Sequence, residues 1–211
     1  MIRRLRETLH RFRRATQGSI AIEFAMSLPV MITVYFGVVT LGNGFATKQR
    51  LETLSRTVVD LAGRLPLLPP NYTSQINAAE VTNIATAAAA IMAPYESRGL
   101  TMTLASIVVQ SQKGSGMIGK VCWSAARSVA ADGTLQVVAV PAQYVEGAVV
   151  AVPEGYRIPG NAYLVSDVEQ VYRPVIGNAI TGDINLRDTV PWPSRNGMQV
   201  VWQGKAACPT T

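Results

Sequence analysis

The chain has 211 residues, of which 15% are charged and 48% apolar, with a formal net charge of +6 at pH 7. That length allows one membrane segment plus one compact domain of about 150 residues, and it excludes a multidomain enzyme. The charge excludes a nucleic-acid surface too: Arg3, Arg4, Arg6, Arg11, Arg13 and Arg14 against Glu7 place +5 in residues 1–14, leaving +1 for the rest, whereas a nucleic-acid partner needs basic side chains spread over a folded face.

The arginine block reads as a basic leader (1–18) that meets anionic headgroups on the cytoplasmic side. Glu23 follows five places after Gly18 as the one charge near the start of an apolar run. An ionised carboxylate in hydrocarbon costs about 3 kcal/mol at a helix centre and less near the interface, so it usually has a partner. Residues 24–47 carry no charge, and at 1.5 Å per residue they make roughly 36 Å of helix, enough to cross a core of about 30 Å. Six arginines before the run outnumber Lys48, Arg50, Arg56 and Arg64 after it, so the N-terminus is expected in the cytoplasm and the rest outside. Gly44-Phe45-Ala46 has the small-x-small pattern of a signal cleavage site. An apolar region well beyond the usual length of about 7–15 residues favours a retained anchor.

Pro29 predicts a kink within the span and not its end. Beyond it, Leu51, Leu54, Val58, Leu61 and Leu65 form a stripe on one helix face, so the helix is expected to leave the membrane and pack on the domain's own sheet or on a neighbour, with the segment 19–65 as one element. Pro66, Pro69 and Pro70 stop it. Asn77 and Glu80 form a capping box for a second helix, with Ile76 and Val81 spaced as a hydrophobic staple, and Pro94 ends it. From residue 100 the period becomes two, predicting strands near 101–110, 119–125, 135–141, 146–152, 163–173 and 198–203 in an antiparallel sheet. The segment 174–197 is rich in turn residues and is expected to be a surface excursion. The fold class is therefore α+β: a long N-terminal transmembrane helix, then an extracytoplasmic domain (66–211) with a helix packed on a sheet.

Catalytic chemistry is poorly provided for. His10, in the leader, is the only histidine, so the external domain cannot build a Ser-His-Asp or Cys-His system. Two cysteines without a nearby histidine fall short of a zinc site; no metal or other cofactor is expected. Gly114-Ser115-Gly116-Met117-Ile118-Gly119 fits G-x-G-x-x-G, yet a strand-like Lys120-Val121-Cys122-Trp123 follows it. Without a helix N-terminus there is no phosphate cradle, and the motif reads as a hairpin connection. Asp167/Glu169 and Asp183/Asp188 are conceivable acid/base or calcium pairs; Asp167 and Glu169 share a strand face, expected to be the wet one. Asn71-Tyr72-Thr73 fits a glycosylation acceptor, meaningful only where the organism glycosylates. Cys122 and Cys208 both fall in the external part, where a bridge is expected; two separate thiols, one of them buried, is the other arrangement.

The leader ending in glycine, followed by Ser19-Ile20-Ala21-Ile22-Glu23-Phe24-Ala25, Leu28-Pro29 and Phe36-Gly37, resembles the TadE-like minor pilins (pseudopilins) of tight-adherence, Flp-type pilus systems. Thr101–Val109, Cys122-Trp123, Val140-Pro141 and Val171-Tyr172-Arg173-Pro174 are similar to that family's external domain. The resemblance implies a pilin-like fold and a structural, non-catalytic function in pilus assembly at the bacterial inner membrane, in single-pass topology with a periplasmic domain. It implies as partners a prepilin peptidase cutting between Gly18 and Ser19, pilin and other minor pilin subunits, and the assembly platform. Glu23, with Phe24 beside it, would then be the assembly carboxylate answered by the new α-amine of Ser19. Phe24 stands where the Flp-type major pilins usually have tyrosine, and some members of the broader family stay uncut. A competing reading is an anchored binding or adhesion module using 174–197, with Trp192 and Trp202 as contact residues or, equally, as core indoles.

Overall fold

The computed structural model describes residues 17–69, 73–112, 116–174, 182–194 and 198–210. His10, Asn71-Tyr72 and Gly114-Ser115 lie outside the described residues, as do the leader up to Thr16 and parts of 174–197. Helix α1 runs unbroken from Gln17 to Gly63 with Pro29 inside it. The chain then forms β1 (Leu67–Leu68), β2 (Thr73–Ile76) and helix α2 (Ala78–Ile91). Strands β3 (Thr101–Gln112), β4 (Gly116–Val129), β5 (Leu135–Val138), β6 (Val149–Ala151), β7 (Ala162–Tyr172), β8 (Ile184–Pro193) and β9 (Val201–Trp202) follow.

The main sheet has the order β5-β4-β3-β7-β8, with β6 added to the free part of β4, and all its pairs are antiparallel. Its long centre strands are buried on both faces, which is why their alternation in sequence is imperfect. One face carries α1 and α2: Leu51, Leu54, Val58, Val59 and Ala62 of α1 join Val81, Ala85 and Ala88 of α2 and Leu104, Leu164 and Val168 of the sheet in one core. The stripe thus packs on the domain's own sheet. The opposite face holds a smaller core of Ile107, Val121, Tyr144, Val152, Tyr163 and Val165, roofed by β6 and by 3-10 turns at Ala142–Tyr144 and Glu154–Tyr156.

The α2 start follows the sequence prediction. Asn77 Oδ1 accepts from the Glu80 backbone N–H at 2.9 Å and Glu80 Oε2 accepts from the Asn77 N–H at 2.8 Å, which settles two of the donors a helix start leaves open. Arg127 on β4 secures the same end: its guanidinium donates to the Ala78 carbonyl and the Thr82 hydroxyl, and burial lowers its pKa.

Three expectations need correction. Within 174–197, residues 184–193 are not a surface excursion but β8, paired with β7 from Tyr172↔Ile184 to Tyr163↔Pro193. Pro191 and Pro193 argue against a strand in sequence, yet an edge strand tolerates them because an outward N–H is not needed. The same edge has its outward carbonyls occupied, with Lys48 Nζ donating to Arg187 O at 2.7 Å and Tyr156 Oη to Pro191 O at 3.0 Å, a guard against unwanted strand pairing. Second, the predicted 135–141, 146–152 and 198–203 strands are shorter, because Pro141 and Pro153 each open a 3-10 turn. Third, the sheet structure is not wholly antiparallel: β9 lies parallel to β2, in a small sheet of order β1-β2-β9.

Candidate functional site

Helix α1 divides into two halves with different surroundings. From Ile20 to Val39 every side chain is exposed, including Ile20 at 74% and Met26 at 74%, although this stretch is the most apolar of the chain. A core helix would hide such a surface; this one is long and apolar enough to cross a membrane, and none of its apolar window is buried. From Leu51 onward the same helix belongs to the domain core.

Gly18 and Ser19 lie in the first turn of α1 and Glu23 one turn further on. Positions 19 and 23 are four apart, so they share a helix face about 6 Å apart along the axis. Phe24 is 61% exposed and starts the adjacent face. Ser27 and Thr33 turn their hydroxyls onto the carbonyls of Phe24 and Pro29, which keeps these small polar groups satisfied within the helix itself.

The junction between helix and domain is a set of specific contacts. The Tyr172 hydroxyl at the end of β7 donates to the Thr40 carbonyl at 3.2 Å, and its ring lies against Gly44, where a Cβ would meet it at 3.5 Å. Burial, with Tyr95 nearby, raises the Tyr172 pKa, so the phenol stays a donor. Gly44-Phe45-Ala46, the small-x-small pattern, is continuous helix in this contact. One turn further on, Lys48 meets Asp188 at 3.6 Å.

Residues 18–60 match the family model described as TadE-like protein. The segment is TadE-like. It covers the apolar half of α1, the junction and most of the packed half, and so ties the chain to Tad pilus systems. Comparison with curated proteins and with solved structures gives no match. The TadE-like segment includes Gly18, Ser19, Glu23 and Phe24, the residues singled out in sequence.

The remaining candidate residues are placed elsewhere. Cys122 and Cys208 are joined by a disulfide with Cα atoms 5.8 Å apart. Trp192 packs against the core beside Gly63, and Trp202 lies 5.5 Å from Trp123 between ring centres; both indoles serve packing. Asp167 is not on a wet face. It is 5% exposed because Arg187 and Thr189 of β8, together with Gln143, close over it; Arg187 Nε donates to Oδ1 at 2.8 Å, Arg187 Nη2 bonds Oδ2, and the Thr189 hydroxyl donates at 3.1 Å. The carboxylate raises the Arg187 pKa by this hydrogen bonding. Glu169, two places on, is exposed. Asp183 faces Arg173 and Asp188 faces Lys48, so neither acidic pair converges. Among the described residues no group of three or more His, Cys, Asp or Glu forms a metal site. Gly119 is a strand residue at Val109↔Gly119, and the chain returns directly from Gln112 to Gly116 as a hairpin, with no helix to receive a phosphate.

Sequence reasoning missed the Tyr172–Thr40 junction and the Asp167–Arg187 pair. Both join residues far apart in the chain, and neither pattern is periodic. The Arg187-Asp188 dipeptide inside a supposed loop was the only signal of a paired edge.

Proposed function

We propose that this protein is a non-catalytic minor pilin, or pseudopilin, of a tight-adherence pilus system. Residues 20–39 anchor it once through the bacterial inner membrane, with the N-terminus cytoplasmic and the α+β domain periplasmic. The observation that carries this reading is the TadE-like helix itself: a bilayer-length, wholly exposed apolar face that continues rigidly into a folded domain, with positions 19 and 23 on one side of it. A structural subunit needs such a rod, because packing against neighbouring rods is its work; an enzyme needs convergent acid, base or nucleophile.

Cleavage after Gly18 by a prepilin peptidase takes away the +5 leader and creates an α-amine at Ser19, one helical turn from the Glu23 carboxylate. That amine, on the same chain or a neighbour, neutralises the acid within a bundle of helices, where ions gain most from a close partner. The other partners in this reading are pilin and minor pilin subunits and the assembly platform. Intact mass of the protein extracted from membranes tests the processing: a species starting at Ser19 is expected. Glu23→Ala is expected to insert normally and to fail incorporation into the pilus complex. Wild-type pilus assembly by that variant, with the leader still attached to the native protein, refutes the proposal.

A further inference from the structure

The junction fixes where the bilayer must end. Thr40 is the first residue of α1 whose backbone the domain touches, so the hydrocarbon core takes the exposed residues Ile20 to Val39, a length of about 30 Å. Asn43 and Thr47 then stand about 6 and 12 Å beyond its edge, which is the depth of the headgroup layer, about 5–7 Å thick on each side. On the far face of the helix, Leu41 and Phe45 remain 65% and 69% exposed, as expected for side chains resting in that layer.

At this depth lies a cleft of about 270 Å³ between α1 and the domain, lined by Asn43, Thr47, Tyr95, Glu96, Tyr172 and Arg173 among others. Its rim carries one exposed cation, Arg173, and one exposed anion, Glu96. Two tyrosines and an amide supply neutral polar surface between them. A zwitterion with phosphate at one end and a hydrogen-bond-donating ammonium at the other complements this set: guanidinium pairs with phosphate and carboxylate with a primary amine.

We propose that this cleft seats the headgroup of a phospholipid bearing a phosphate and a primary ammonium, a phosphoethanolamine lipid, which props the domain at a fixed height on the membrane. A quaternary ammonium offers Glu96 no N–H donor, and a glycerol headgroup offers it no charge. The inference rests on the membrane-anchored reading of α1 given above.

The test uses the full chain, extracted from membranes in a mild detergent and offered dioleoyl phosphatidylethanolamine, phosphatidylcholine or phosphatidylglycerol, with retained lipid counted by native mass spectrometry. One phosphatidylethanolamine is expected to be kept, at least about tenfold in preference to either other lipid, and the double variant Glu96→Ala/Arg173→Ala is expected to lose that preference by about tenfold or more, the effect of removing charge-assisted bonds. An Asp132→Ala control, in the distant β4–β5 turn, is expected to bind like wild type. Equal retention of all three lipids by the unmodified protein overturns the proposal, with no variant needed. Unchanged preference in the double variant overturns the assignment to this cleft. Displacement of the lipid by millimolar soluble phosphoethanolamine would identify a free solute as the ligand and overturn the lipid assignment. Recovery of the protein in the soluble fraction would instead sink the anchoring reading, whereas membrane-bound protein without lipid preference sinks only this one.

Discussion

Removing the disulfide is expected to lower stability by acting on the unfolded chain. Cys122 and Cys208 are 86 positions apart, and closing a loop of that size removes unfolded-state entropy equivalent to about 4–5 kcal/mol at 25 °C in the chain-entropy model. The folded tail has other ties: Trp123 Nε1 donates to Val200 O at 2.7 Å, the Cys208 N–H donates to Gln199 Oε1 at 2.9 Å, and Gln110 Nε2 donates to Pro209 O at 2.7 Å. The native shape therefore survives without the covalent link, and nearly all of the loss falls on the denatured ensemble. For Cys122→Ala/Cys208→Ala, urea unfolding in detergent, followed by tryptophan fluorescence, is expected to show a midpoint lower by about 2 M with a steeper slope, since the freed chain exposes more surface. The reporters suit the measurement, because Trp123, Trp192 and Trp202 all pack in or against the main core. A midpoint displaced by less than about 0.5 M, with the bridge verified in the native protein, would refute this reasoning.

Three further outcomes are expected. Tyr163 is 2% exposed and burial pushes its hydroxyl up to about 12; above pH 10 the unfolded chain loses this proton while the folded one keeps it, so stability should fall by about 1.4 kcal/mol by pH 11. Tyr163→Phe should flatten that part of the urea-midpoint-versus-pH curve, and an equal slope in both proteins would discount the tyrosine. Gly119→Ala sets a methyl 2.8 Å from both Ile107 Cγ2 and Val150 Cγ2 and should cost about 1–3 kcal/mol by overpacking, read as a lowered melting temperature. Asn77→Ala breaks the capping box at a cost of about 1 kcal/mol, and hydrogen exchange should speed up first in the opening turn of α2.

Much of this architecture was legible because local rules agreed with the final packing. The charge-free run and the stripe through Leu51, Leu54 and Val58 mark a helix that changes environment part-way, and the Asn77/Glu80 box marks the start of α2 to the residue. Strands β3, β4 and β7 announced themselves by β-branched runs. What stayed hidden depended on distant partners. β8 carries two prolines and flanking turn residues, and only β7 beside it makes a strand of that segment. Asp167 looked solvated because its strand alternates, while the three groups that enclose it come from residues 143, 187 and 189. In the candidate site, Gly18, Ser19 and Glu23 were visible as a local motif. The Tyr172–Thr40 contact, 132 positions apart in sequence, had no such signature.

The parallel pairing of β9 with β2 has a consequence for the order of events in the cell. β2 comes near the beginning of the external domain, while its neighbour Val201–Trp202 is among the last segments to be synthesised. With so long a separation to close, the small sheet cannot form until almost the entire polypeptide has crossed to the far side. Export of this protein therefore has to deliver an open chain, and the finished domain becomes its own barrier against slipping back.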